Sequence, residues 1–288
     1  MQTTQLAGFL VIDKPIGMTS FDVIRHLRRQ TGIKTFGHAG TLDPFATGLL
    51  IIAVNKYTRL LSLMEFAYKE YTVSMILGQE STTGDPEGEI NAVDSKTIDL
   101  NKIPLLYQAV LKIEKLKPPI HSAIKVNGKR SYDRARAEEQ FELPERESTI
   151  FEFSVLSYEY PQLVYSCKVS KGTYIRSLSL WIADFLGTKA YTCELRRTAI
   201  GSITLQKASQ LTEINPDTLA QHLVSVLDIL PELESITLMD EQLNRIRNGN
   251  YVTNEGIDNN AVLIFDSLKE CRGIAYRKDN FIYPKVNI

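Results

Sequence analysis

One carboxylate, Asp43, stands in the string Gly37-His38-Ala39-Gly40-Thr41-Leu42-Asp43-Pro44-Phe45-Ala46-Thr47-Gly48. Pro44 fixes its own φ and pushes Asp43 towards an extended conformation, while the glycines let the backbone turn. The apolar run from Leu49 to Val54 reads as a buried strand. An acid on a stiffened loop leading into the core is mounted as a reactive group would be. A second candidate is Arg176, which falls in the first turn of a helix predicted to start near Ile175. A cation there opposes the positive end of the helix dipole, so it calls for an anionic partner. The other Asp-Pro pair, Asp85-Pro86, reads as an ordinary turn within a loop-like, acidic stretch over 79–99 that carries no recognisable chemistry.

The bulk numbers narrow the class. A chain of 288 residues suggests about two domains and ample core. Three widely spaced cysteines, Cys167, Cys193 and Cys271, fit neither a disulfide framework nor a zinc site. Four histidines, none in ligand spacing, predict no metal, and no motif calls for a cofactor. No stretch is long and apolar enough for a membrane span, and the N-terminus does not read as a signal peptide, so the expectation is cytoplasmic. The net charge of −1 conceals an uneven distribution. Residues 112–136 hold eight Lys/Arg against two acids, whereas 137–159 hold seven acids against one Arg. Asn127-Gly128 predicts a hairpin turn inside the basic stretch. Lys125, Lys129, Arg130, Arg134 and Arg136, interleaved with Tyr132, suit a surface that follows phosphates and stacks on an unpaired base.

The positioning elements can be read in outline. A strand over Gly8–Ile12 enters a turn-rich loop with Lys14, and Thr19 with Asp22 three residues on marks a helix start. Phe21, Ile24 and Leu27 define that helix's apolar face, with Gly32 just past its end. Tyr71, Val73, Met75 and Leu77 alternate as one face of a strand that Tyr71 begins. Ile103, Leu106, Val110 and Ile113 suggest a helix with Pro104 in its first turn. Leu163 to Val169 alternate as a strand, and Ile175, Leu178, Ile182 and Leu186 form the stripe of a helix closed by Gly187. Residues 205–232 are predicted as helices. In 233–288 a short helix around Leu243 and Ile246 is followed by strand-like runs at 261–265 and 281–286.

The string at 37–48 resembles the Gly-His-x-Gly-x-Leu-Asp-Pro-x-Ala-x-Gly signature of the TruB family of tRNA pseudouridine synthases. Further matches are Lys14-Pro15-Ile16-Gly17-Met18-Thr19-Ser20, the basic stretch 118–136, Gly172-Thr173-Tyr174-Ile175-Arg176-Ser177-Leu178, and Leu195-Arg196-Arg197-Thr198. The resemblance implies an α+β fold: a mixed, largely antiparallel sheet in a catalytic domain over 1–232, an RNA-gripping insertion at about 117–147, and a small β-rich, PUA-like domain over 233–288. It implies Asp43 as nucleophile, Arg176 as its partner and Tyr71 as a tyrosine stacking on the base and assisting proton chemistry. Tyr174 and Leu195 would wall the base pocket, and His38 would help hold open the space that the base vacates. Lys14 is counted with the substrate-binding residues, as are Lys125, Lys129 and Arg130. The implied reaction is conversion of the T-loop uridine of tRNA to pseudouridine by a monomer that binds the T-arm, without a protein partner, metal or cofactor. Rival readings are a non-catalytic RNA-binding or RNA-folding protein, a guide-dependent relative of the same family, and a carboxylate glycosidase. The last would need a second catalytic acid beside Asp43, and no motif offers one.

Overall fold

The computed structural model describes residues 6–64, 66, 68–93, 100–120, 122, 125–126, 129–130, 141 and 143–288. The first strands are β1 (Gly8–Lys14), β2 (Phe36–Ala39), β3 (Thr47–Val54) and β4 (Tyr68–Leu77), with helix α1 (Ser20–Thr31) between β1 and β2. Hairpin β5 (Gln79–Ser81) and β6 (Ile90–Ala92) follows, then the single-turn helix α2 (Leu106–Val110). Strands β7 (Lys115–Leu116) and β10 (Arg146–Glu147) pair across the base of the insertion. Within it, β8 (Lys125–Val126) and β9 (Lys129–Arg130) pair antiparallel, while the Asn127-Gly128 turn, Tyr132, Arg134 and Arg136 lie outside the described residues. Long strands β11 (Ile150–Glu159) and β12 (Gln162–Ser170) lead to helix α3 (Ile175–Leu186), strand β13 (Ala190–Ile200) and the short strands β14 (Ile203–Thr204) and β15 (Ser209–Gln210).

Strands β1–β4 and β11–β15 form one mixed nine-stranded sheet, ordered β11-β12-β4-β13-β3-β1-β15, with β14 and β2 as side branches. Most neighbours run antiparallel; β13 pairs parallel with β3, and β1 with β15. The uninterrupted apolar run in β3 has a physical cause, because both faces of this sheet region are covered. Leu10, Ile12, Leu50 and Ile52 pack against Val23, Ile24 and Leu27 of α1. Phe9, Val11, Leu49 and Ile51 pack on the opposite side against Leu263, Cys271 and Ile274 from the C-terminal residues. Those residues build a second, five-stranded sheet, ordered β16-β18-β19-β20-β17, from β16 (Glu234–Thr237), β17 (Val252–Thr253), β18 (Asn259–Phe265), β19 (Cys271–Lys278) and β20 (Phe281–Asn287). Helix α4 (Asp240–Arg247) adds Leu243 and Ile246 to its core. Among the described residues no helix is long and apolar enough to cross a membrane.

Local signals explain the helix ends. Thr19 Oγ1 accepts from Asp22 N, and Asp22 reaches back to Thr19 N at 2.9 Å, a capping box, while left-handed Gly32 ends α1. Gly187, at φ 80°, ends α3 in the same way.

Three expectations are corrected. Phe21 does not belong to the buried face of α1; it is half exposed, its ring lying under the Arg25 and Arg28 guanidinium groups, and Val23 takes the core position. Strand β4 starts at Tyr68, so Tyr71 is its fourth residue and lies inside the sheet. Residues 205–232 form only single helical turns around β15, which is claimed by the edge of β1.

Candidate active site

The Asp43 loop is held from below. Lys14 is fully buried, and its ammonium donates to the carbonyls of Pro15 (2.9 Å), Met18 (2.6 Å) and Pro44 (3.4 Å). Gly17 N adds a bond to Pro44 O at 2.8 Å. Ser20 Oγ accepts from Leu42 N at 2.9 Å, so the start of α1 fixes the residue before Asp43. Arg197, fully buried in β13, donates through Nε to Leu49 O (2.7 Å) and through Nη2 to Gly40 O (3.0 Å). Gly48 lies opposite Arg197 in the parallel register at φ 101°, and a Cβ there would collide with the Arg197 backbone. Buried cations and backbone carbonyls thus clamp the loop at both ends.

Arg176, second residue of α3, is 4% exposed and forks between two carboxylates. Its Nε lies 3.1 Å from Asp43 Oδ2, and its Nη1 lies 2.7 Å from Asp85 Oδ2. Nη1 also donates to Thr83 O at 3.1 Å. The second carboxylate is the residue that the sequence reading missed. Within the stretch that reads as an acidic loop, residues 82–89 are the tip of the β5–β6 hairpin, folded inward. Asp85 is 2% exposed and accepts from Thr83 Oγ1 (2.5 Å) and Glu87 N (3.0 Å). Thr192 N binds Gly84 O at 3.0 Å, which fastens the tip to β13. Two anions answer the unfavourable helix-end position of Arg176.

Above the ion pair opens a cavity of about 250 Å³ whose walls include Asp43, Lys69, Tyr71, Tyr174, Arg176 and Leu195. Asp43 keeps 34% of its side chain exposed there, yet burial on its remaining sides pushes its pKa up. The Arg176 guanidinium is the largest counter-influence, drawing the pKa down, and the Asp85 charge raises it again. Burial raises the pKa of Tyr71 as well; its hydroxyl accepts a hydrogen bond from Arg197. Burial likewise raises Tyr174. Among the predicted residues, Asp43, Tyr71, Arg176, Tyr174 and Leu195 therefore share one cavity. Lys14 lies outside its walls, under the loop, with its pKa lowered by burial to about 8. His38 also lies outside them, in β2 opposite Ile52; burial and nearby Arg197 lower its pKa, and among the described residues its Nδ1 meets no hydrogen-bond partner. The side chains of Lys125, Lys129 and Arg130 are outside the described residues.

Residues 28–175 match the TruB family pseudouridylate synthase N-terminal domain. The chain belongs to that family. Among curated TruB relatives, the tRNA pseudouridine synthase B of Syntrophobacter fumaroxidans is 38% identical, over 86% of this chain and 83% of its own length. That of Streptococcus pneumoniae serotype 2 is 35% identical over 94% of this chain and 97% of its own. The fold is shared more widely. A chain in the structure of an H/ACA RNP bound to a substrate RNA containing 2'-deoxyuridine superposes with a TM-score of 0.71 at 19% identity, covering 100% of this chain and 85% of that one. Against the TruB motifs, the structure adds three residues that the sequence reading left without a role. Asp85 shares Arg176, Arg197 clamps the loop, and Lys69 lines the cavity.

Proposed function

We propose that this protein converts the T-loop uridine of tRNA, the one that becomes the Ψ of TΨC, to pseudouridine, with Asp43 as nucleophile. The observation that carries the reading is the Asp43–Arg176 pair at the floor of a cavity walled by Tyr71, Tyr174 and Leu195. The names of relatives at 35–38% identity support tRNA as the substrate. The reaction breaks the N1–C1′ bond, turns the base and forms the C5–C1′ bond; the C5 proton is lost and N1 gains one. It needs a group that holds one fragment while the other rotates, and an ionised carboxylate can do so covalently. Arg176 keeps Asp43 ionised and aimed. The target uridine sits in a folded loop, so it must flip out to reach the carboxylate. Tyr71 and Tyr174 offer faces for the ring, Leu195 an apolar wall, and neutral His38 would stand near the gap left in the loop. Lys14 serves the substrate indirectly, by fixing the carbonyls around Asp43. The catalytic domain over 1–232 would bind the T-arm as a monomer, with the insertion gripping the RNA.

Incubation with unmodified tRNA and mapping of pseudouridine tests the reading: product is expected at the T-loop uridine, with partial activity on an isolated T-arm stem-loop. Product in the anticodon arm, or none, would overturn it.

Joint replacement of Lys125, Lys129 and Arg130 by Ala should weaken tRNA binding and flatten its salt dependence by about 0.7–0.9 log units per lost phosphate contact. Turnover at saturating tRNA should change far less. A salt slope equal to wild type would remove this hairpin from the interface.

A further inference from the structure

We propose that Lys69 holds one of the two phosphates that flank the flipped uridine, which makes it a substrate-binding residue set inside the reaction cavity. The inference rests on the RNA-modifying reading above and adds a residue to it.

Among the described residues, Arg176, Lys14, Arg197 and Lys69 are cations set at the Asp43 loop or its cavity. Arg176 has two carboxylates, Lys14 three carbonyls, and Arg197 backbone carbonyls and the Tyr71 hydroxyl. Lys69 lines the cavity, yet among the described residues its ammonium meets no carboxylate, carbonyl or hydroxyl. Among the described residues the charge that acts on it is that of another cation, Arg197. A Cβ placed on Gly40 would lie 3.2 Å from Lys69 Nζ and 3.6 Å from Arg197 Nη1, so both groups converge on the space beside that glycine. Burial and Arg197 together lower the Lys69 pKa to about 8. An ammonium that is partly desolvated and faces a guanidinium is unfavourable in the empty protein. An anion brought by the substrate would relieve it.

Position selects the anion. Lys69 lies two residues before Tyr71 on β4, so both side chains stand on the same face, opposite Val169 and Cys167 of β12. The two positions are roughly 6.5–7 Å apart along the strand. A nucleotide whose base rests on Tyr71 therefore carries its own phosphodiesters within reach of a four-carbon stem. A compact ammonium with three donors suits a phosphate oxygen better than a flat base edge. Strand placement also sets this contact apart from those of the hairpin at 125–130: it would fix the flipped nucleotide itself, inside the cavity.

The test is a thermodynamic cycle. One partner is Lys69→Met, which keeps the stem's length and removes the charge. The other is a T-arm stem-loop with a neutral methylphosphonate at either linkage flanking the target. The ribose 5′ of the altered linkage is 2′-deoxy so that the linkage survives, and the control is the same deoxy stem-loop with ordinary phosphates. With the ordinary phosphate, Lys69→Met should weaken binding about tenfold, while Lys69→Arg should recover most of that loss. One of the two neutral linkages should weaken wild-type binding by a similar factor yet cost Lys69→Met less than about twofold. The melting temperature of Lys69→Met should equal or exceed wild type, because a partly desolvated charge set against Arg197 is gone. If Lys69→Met does not fold, Lys69→Gln takes its place in the cycle. Full additivity at both linkages would overturn the proposal, as would unchanged affinity. Loss of turnover with affinity intact would also overturn it, by moving Lys69 to the chemistry of the base. Pseudouridine formation by the wild type on the unmodified stem-loop is the control. Its failure would sink the proposed function, whereas success with Lys69 indifferent would sink this inference alone.

Discussion

Asp43→Asn is expected to abolish pseudouridine formation while leaving tRNA affinity near the wild-type value. The substitution preserves volume and shape and removes the negative charge, and with it nearly all nucleophilicity. Among the described cavity walls Asp43 is the only carboxylate, so turnover should fall by at least about 10³-fold. Binding is expected to rest on phosphate contacts and stacking, neither of which uses this carboxylate. The fold should survive because Arg176 keeps Asp85 at 2.7 Å as its second anion. The Asp43 pKa is raised by burial, so its ionised form is less favoured in the folded chain than in the unfolded one. Its removal at neutral pH therefore costs no stability through linkage. The measurement is paired, pseudouridine yield and dissociation constant on one folded preparation. Residual turnover within about tenfold of wild type would remove Asp43 from the nucleophile role, and lost binding would make it a structural residue.

How much of this site the sequence disclosed depended on distance along the chain. Asp43 was legible because glycine and proline punctuate its loop locally. Arg176 was legible as a cation set against a helix dipole, and α1 announced its own capping box. Asp85 was not legible. Its Thr-Gly-Asp-Pro-Glu-Gly context is indistinguishable from a surface turn, and only the inward fold of the β5–β6 tip brings it to an arginine 91 positions away. Phe21 misled for a related reason: helical spacing cannot tell a core aromatic from one shielded by two arginines. In the C-terminal sheet, β19 went unread because one of its buried positions is Arg277. That side chain is 5% exposed and paired with Glu234 at 2.6 and 2.7 Å. A charge buried against a partner 43 positions away breaks the apolar alternation that marks a strand.

The shared arginine leads to two pH shifts of opposite sign. As the proposed nucleophile Asp43 would have to be ionised to react, so the acid limb of kcat/KM should follow its pKa in the free protein. Arg176 lowers that pKa and Asp85 raises it. Arg176→Met should therefore move the acid limb to higher pH, and Asp85→Asn should move it to lower pH. The two variants also differ in severity. Arg176→Met strands Asp43 and the more deeply buried Asp85 together, so the fold should lose about 3–5 kcal/mol and activity should fall by orders of magnitude. Arg176→Lys retains the charge but cannot span two carboxylates with a planar fork, so it should restore stability in part and turnover less. Asp85→Asn keeps the Asp43 partner and an acceptor for Arg176 Nη1, and loses only one charge. Its turnover should fall about tenfold, through looser aim of the guanidinium. The check is a set of pH–rate profiles for the three variants, each with a melting curve. Acid limbs that move in the same direction would show that Arg176 does not mediate between the two carboxylates, and near-normal turnover of Arg176→Met at neutral pH would remove the Asp43–Arg176 pair from the mechanism.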